Sequence, residues 1–307
     1  MTIDKLDLSK INSHSKKKIK YRTPKLQKSD IKKWSSHLNR LKNQVKSIII
    51  GQDDFIETLL ITLISNGHLL VVGDPGIGKS RVINALTQSL LLTSHSVHLS
   101  SNFTGFNLIT IDELDQLEKE FRRDLLTAMQ ERLCIVDDQV LYLDRPFLVI
   151  ATINPTEKHI NLTNAETDRF MLSCYPDFPT AQEEIAIMSL LNHDEPPKLE
   201  KQFLSADELL NIQRLCTLIT VEQDIKEKIA QIVSYTREPN NDLVALSPRI
   251  SISLIQASKA RAFLHNRDSV NMEDLRSIFH NVIQHRLKSK NNKLSIKSSQ
   301  ELFEQFL

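Results

Sequence analysis

The 307-residue chain is 40% apolar and 25% charged, the balance of an ordinary globular protein with residues enough for one large or two modest cores. Its net charge of +1 hides a split, since residues 1–50 carry 14 Lys/Arg against 3 acids while the remainder carries 25 against 35. No apolar run approaches the ~18 residues of a membrane span. The first residues lack a signal peptide's apolar core, and three scattered cysteines (Cys134, Cys174, Cys216) read as buried thiols, so a cytoplasmic location is expected.

Residues 1–28 show no apolar period and contain Lys16-Lys17-Lys18-Ile19-Lys20-Tyr21-Arg22. They predict a flexible basic arm, serving as a solubilising tail or as a contact for something acidic. Nucleic acid is a poor candidate for that contact, because only Tyr21 and Trp34 could stack and no base-reading fold is present. Ile31, Trp34, Leu38, Leu41 and Val45 recur at helical spacing and predict a helix from Ser29 to about Ser47. Ile48-Ile49-Ile50-Gly51-Gln52 breaks that pattern before a second helix, Phe55 to Ile64, and Asn66-Gly67 marks a turn. His68 then opens an apolar strand, Leu69–Val72, and reads as a satisfied strand-end residue without chemistry.

That strand leads into Gly73-Asp74-Pro75-Gly76-Ile77-Gly78-Lys79-Ser80, followed by Arg81 and an apolar-periodic stretch from Val82 to Leu90. Strand, Gly-rich loop and helix together are the context that gives a GxxxxGK[ST] match its meaning. The glycines let successive N–H groups point inward, and the helix N-terminus adds its dipole, so the loop is built for phosphate. Lys79 would reach the β- and γ-phosphates of ATP and Ser80 would bind Mg²⁺. The bland alternative, an empty strand–helix turn, does not account for the GKS triplet in this setting.

Farther along, Ser96–Leu99 is a weak strand candidate and Leu108–Ile111 a strong one that ends in Asp112-Glu113. A helix from Leu117 to Glu131, a hairpin from Cys134 to Leu143 turning at Asp137-Asp138, and a buried strand from Phe147 to Ala151 follow. This strand runs out at Thr152-Ile153-Asn154-Pro155, and Met171–Tyr175 is a last short strand. Pro176 and Pro179 mark a boundary. Beyond it, capping boxes at Thr180/Glu183, Ser205/Glu208 and Thr220/Gln223 announce helices, as do Ser247-Pro248 and Asn271. The expected architecture is α/β, a P-loop domain with a parallel sheet (29–178) after the arm (1–28), then a smaller all-α lid domain (179–307).

Asp112, ending a buried strand, is placed to organise Mg²⁺, and Glu113 to polarise an attacking water. Asn154 could orient the same water or simply form a turn before Pro155. Spacing assigns no chemistry to Arg169. Arg249 sits beside a helix N-terminus, where a cation is unfavourable, which hints at an anionic partner. Together, the P-loop, Asp112 and Arg249 lead to the expectation that ATP–Mg²⁺ binds between the α/β body and the lid.

The sequence resembles the MoxR family of AAA+ ATPases. The resemblance rests on Ile50-Gly51-Gln52, Gly67-His68-Leu69-Leu70, the P-loop, Asp112-Glu113, Leu125–Arg132, Pro146–Pro155, Asp168-Arg169-Phe170, Tyr175-Pro176, Ser247-Pro248-Arg249, Asn266–Val270 and His285-Arg286-Leu287. It spans roughly residues 45–290. It implies that Ile49, Ile50, Gly51 and Gln52 lie near the adenine and that Asn154 is the sensor 1 residue. It further implies that Arg169 is an arginine finger acting on the neighbouring subunit's ATP and Arg249 the sensor 2 arginine of the lid. A homo-oligomeric, hexameric ring that remodels a client protein, often with a von Willebrand factor A-domain partner, goes with the family. This chain departs from the family in having only Ser100–Asn107 between its outer strand candidate and Leu108, where MoxR-like proteins hold a helix and its client-engaging insert. A smaller departure is Leu114-Asp115, where the family usually carries Asn-Arg.

A parallel crossover needs a dozen or more residues, so either Ser96–Leu99 is not a parallel strand of this sheet or the outer strand is missing. The expectation is a sheet edge stripped or rearranged around Ser94–Asn107, with Phe103 and Phe106 folded over it. A non-catalytic, nucleotide-dependent interaction module is the rival to an active remodelling ATPase.

Overall fold

The computed structural model describes residues 27, 29–96, 102–155, 162–190, 203–239, 243–287 and 296–306. The basic arm, apart from Gln27, lies outside the described residues. In chain order the elements are α1 (Ser29–Lys46), α2 (Asp53–Ser65), β1 (Leu69–Val72), α3 (Lys79–Gln88), β2 (Leu90–Leu91), β3 (Ser94–Ser96) and β4 (Leu108–Ile111). Then come α4 (Lys119–Glu131), β5 (Leu133–Val136), β6 (Gln139–Tyr142), β7 (Leu148–Ile153), α5 (Asn164–Thr167), β8 (Leu172–Cys174) and α6 (Ala181–Leu190). The rest comprises β9 (Leu204–Ser205), α7 (Ala206–Thr217), α8 (Gln223–Tyr235), α9 (Pro248–Leu264), α10 (Met272–Ile283) and α11 (Ile296–Glu304).

The central sheet is parallel, with order β3-β4-β7-β1-β8. Its inner strands β1 and β7 are buried throughout, as continuous apolar runs in a covered parallel sheet should be. The edge is rearranged rather than stripped. An outer strand is present over Ser94–Ser96 and pairs with Leu108–Thr110 of β4, while residues 97–99 of the expected strand lie outside the described residues. The crossover occupies residues 97–107, of which 97–101 lie outside the described residues. Phe103 is fully buried on the face of β4 with Ile109, Ile111 and Leu125, edge-on to Phe121. Phe106 stacks on His95 of β3, centroids 4.6 Å apart. One aromatic therefore fills the sheet face, and the other covers the added strand rather than a bare β4.

The predicted hairpin forms as β5–β6, with Asp137 and Asp138 both at positive φ, the two-residue turn that matches strand twist. Three of the expected helix starts are made by side chains: Thr180 with Glu183, Ser205 with Glu208, and Asn271 with Asp274. Thr220 is a correction. Its hydroxyl donates to the Asp268 carbonyl, its backbone forms a bridge with Ser269, and α8 starts from Glu222 without a side-chain cap. Ser247 likewise gives α9 no side-chain cap, and Pro248 at the first position supplies the start.

One apolar cluster runs from Leu38, Ile56 and Leu60 through Leu69 and Leu86 to Leu254, Phe263 and Phe279. The core is therefore continuous across residue 178, and α9 lies along α2. Ser35 and Asn39 of α1 both donate to the Leu264 carbonyl at the end of α9, at 2.8 and 2.9 Å. Within the helical part, Asp274 is fully buried and receives Arg261 at 3.0 Å as well as Arg267, which ties α9 and its following turn to α10. Cys134, Cys174 and Cys216 are buried free thiols. Among the described residues, no helix is long and apolar enough to cross a membrane.

His68 is the strand-end residue the sequence suggests, with both ring nitrogens used. Nδ1 accepts from the Val149 amide at 3.0 Å, so Nε2 carries the proton and faces the Met129 carbonyl at 3.3 Å. Burial lowers its pKa to about 4. The stability that depends on the neutral ring is complete above the ordinary value of 6.5 and is lost as pH falls through about 4, in total roughly 3 kcal/mol. Urea unfolding from pH 7 to 4 should show a steeper loss in the wild type than in His68→Asn by that amount. Parallel curves would contradict the assignment.

Candidate nucleotide site

In a parallel sheet one edge collects all the strand C-termini. Gly73 follows β1 there, Asp112 and Glu113 follow β4, Asn154 follows β7 and Tyr175 follows β8. Gly76 and Gly78 take φ of +86° and +93°, and a Cβ on either would meet nothing within 4 Å. The loop is a cradle with open space above it.

Lys79 is buried at 7% exposure, and its ammonium donates to Gly73 O at 2.5 Å, Asp74 O at 3.0 Å and Asn154 Oδ1 at 2.7 Å. Burial lowers its pKa, against the pull of Asp112, Asp74 and Glu113. The Ser80 hydroxyl faces Asp112 at 3.2 and 3.4 Å from its two oxygens. A hydroxyl and a carboxylate so placed fit Mg²⁺, which keeps several waters and needs few protein ligands. The residues present fit both ATP and its metal.

Asn154 joins the two halves of the site. Its oxygen accepts from Lys79, which fixes the amide orientation, and its Nδ2 donates to Glu113 Oε1 at 2.6 Å. Glu113 sits at φ +52°, a left-handed conformation that costs a non-glycine residue roughly 1–3 kcal/mol. Thr152 holds it there, since its hydroxyl accepts from the Glu113 amide at 3.1 Å and donates to Asp112 Oδ1 at 3.1 Å. Sequence reasoning missed Thr152. The signal available was its spacing of two from Asn154, which puts both side chains on one side of β7.

The adenine-side residues are mixed. Gly51 has φ +78°, a left-handed conformation that strains other residues, and a Cβ there would come within 2.6 Å of the Glu183 carboxylate. Gln52 donates to Asp177 O at 3.1 Å, which packs this loop against the start of α6. Ile49 is buried in the core, and Ile50 is half-buried. Asp74, Pro75 and Arg81 are exposed around the loop, while Ile77 is buried beneath it.

The two candidate arginines are elsewhere. Arg169 precedes β8, and together with Arg249 it lines a cleft of about 250 Å³ shared with Gly67, His68 and Met171. Those residues lie at the N-terminal ends of β1 and β8, on the sheet edge opposite the P-loop. The edges are separated by the strands themselves, about 13 Å for four residues. Arg249 therefore stands away from its own chain's P-loop in this structure, while the loop holding Gly51 and Gln52 still meets the segment at Asp177 and Glu183. Asp168 pairs with Arg249 at 3.6 Å and with Arg286 at 3.2 Å, and Arg169 donates to Leu126 O at 3.2 Å.

Three family profiles match in succession: a "MoxR domain in the MoxR-vWA-beta-propeller ternary systems" over residues 36–109, the "ATPase family associated with various cellular activities (AAA)" over 94–172, and an "AAA lid domain" over 243–306. The chain is thus similar to MoxR-type AAA+ ATPases along most of its length. Among MoxR-type relatives, Chaperone MoxR1 of Mycobacterium tuberculosis is 29% identical, covering 81% of this chain and 75% of that protein. The uncharacterized protein YeaC of Bacillus subtilis is 28% identical over 81% of this chain and 86% of its own length. A crystal structure from Cytophaga hutchinsonii, named only as a candidate ATPase, superposes with a TM-score of 0.80 at 24% identity, over 91% of this chain and 96% of that one. That likeness shows the fold.

Proposed function

We propose that this MoxR-type chain binds and hydrolyses ATP at a site shared between two copies, and uses the cycle to remodel a client protein. The observation that carries this reading is the split of the machinery across the sheet. Lys79, Ser80, Asp112, Glu113 and Asn154 stand at one edge, while Arg169 and Arg249 stand at the other. A head-to-tail arrangement of identical copies brings one edge to the other and closes as a ring, hexameric by family resemblance.

In that arrangement Lys79 neutralises charge on the β- and γ-phosphates, and Ser80 with Asp112 holds Mg²⁺, which supplies Lewis-acid stabilisation of the transferring phosphoryl group. Glu113 takes the proton of the attacking water, and the Asn154 amide fixes the carboxylate. Arg169 and Arg249 of the next copy meet the negative charge spread over the phosphoryl oxygens. The printed description of the matching MoxR domain supports a partner with a von Willebrand factor A domain. The second reading, a nucleotide-dependent interaction module with weak or no remodelling activity, draws on the short crossover of residues 97–107, which leaves little chain for a client-engaging insert.

Nucleotide binding is tested by calorimetry on the wild type and Lys79→Ala. Removing a charge-assisted bond to phosphate should weaken ATP binding by about 100-fold, ~3 kcal/mol. Equal affinities, or none for either protein, would end the reading.

A further inference from the structure

Arg286, just beyond the end of α10, shares the cleft of Arg169 and Arg249 and is itself buried, with its side chain 5% exposed. Its guanidinium is spent on the turn that carries Arg169. Nη2 donates to Asp168 O at 3.2 Å and Phe170 O at 2.6 Å, and Nε faces the Asp168 carboxylate at 3.2 Å. Nη1 donates to the Val282 carbonyl at 3.0 Å, fixing the fork to its own helix. The neighbouring His285, also buried, reaches the Phe170 carbonyl at 2.9 Å and Ser173 Oγ at 2.9 Å. The other oxygen of the Asp168 carboxylate faces Arg249 at 3.6 Å. A single carboxylate, held by a buried guanidinium, therefore lies next to Arg169 in the chain and against Arg249 in space.

Resting on the shared-site reading above, we propose that Arg286 is a positioning residue: through Asp168 it sets Arg169 and Arg249 together as one unit aimed at a neighbouring copy's nucleotide. The planar fork suits this work. It bonds two carbonyls of the turn while lying 3.2 Å from the carboxylate, an arrangement that a lysine ammonium cannot keep with the same fixed geometry. The same contacts couple the end of α10 to the turn ahead of β8, so a displacement of the helical part moves both arginines together.

The test uses full-length protein in mixtures. Arg286→Ala should lower kcat at least 10-fold while leaving ATP affinity and KM within about 2-fold, because its own P-loop is intact. Arg286→Lys should be intermediate. Mixing Arg286→Ala one-to-one with Glu113→Gln, itself inactive, should restore turnover to about a quarter of wild type. That is the share of head-to-tail interfaces joining an intact Glu113 to an intact arginine turn. A loss of folding would not be relieved by such a partner. If Arg286→Ala fails to fold, Asp168→Asn, of the same shape, is read in the same way. Arg169→Ala mixed with Glu113→Gln is the control. Recovery there without recovery for Arg286→Ala or Asp168→Asn overturns the positioning role alone. No recovery in the control overturns the shared site and the positioning role with it. An unchanged kcat in both Arg286→Ala and Asp168→Asn overturns the proposal outright.

Discussion

Arg169→Ala is expected to bind ATP as the wild type does and to hydrolyse it about 10³- to 10⁵-fold more slowly, the range for loss of an arginine finger. The split of effects follows from position. Arg169 lines the cleft at the N-terminal sheet edge with Gly67, His68 and Met171, and its guanidinium donates to Leu126 O at 3.2 Å. It touches no residue of its own P-loop among the contacts described, so its removal leaves the Lys79 and Ser80 arrangement intact. Phosphate release measured alongside calorimetric ATP binding separates the two quantities. A matching loss of affinity would place Arg169 at its own chain's nucleotide, and normal turnover would remove it from the reaction.

Glu113→Gln is expected to lower turnover by about 10²- to 10⁴-fold, the usual contribution of a positioned general base. The amide keeps the shape of the side chain and can still meet Asn154, whose Nδ2 now stands 2.6 Å from Glu113 Oε1. It cannot accept a proton from water. Affinity for ATP should hold, because Lys79 bonds to Gly73, Asp74 and Asn154 and not to Glu113. The variant should therefore accumulate with ATP bound, as read by quenching and chromatography of the retained nucleotide. Retention of ADP at the wild-type rate would show that another group takes the proton.

Much of this site was legible because its logic is local. The P-loop lies within eight consecutive residues, Gly73–Ser80, between an apolar strand and an amphipathic helix, and Asp112-Glu113 and Asn154 each end a buried apolar run. A parallel sheet then brings those ends together without further instruction. What stayed hidden depends on distance along the chain. Arg286 meets the Asp168 carbonyl from 118 residues away, and no period or spacing foretells that contact. The place of Arg249 in the cleft with Gly67 and His68 was not legible for the same reason, since a helix start says nothing of which sheet edge the helix will serve. Thr220 matched a capping box, but a bond to the Asp268 carbonyl won the hydroxyl. The short crossover left it open whether the outer strand was lost or rearranged, and a three-residue strand, Ser94–Ser96, is kept with Phe106 stacked on His95.

The central claim is that one copy's phosphate loop and another copy's arginines make a single site. Turnover per protomer measured against protein concentration, at saturating ATP–Mg²⁺, tests it most directly. The account predicts turnover that rises steeply with concentration and levels off as assembly completes, with the mass of the ATP-bound protein rising over the same range. Turnover per protomer that stays constant down to concentrations where the protein is monomeric would contradict it.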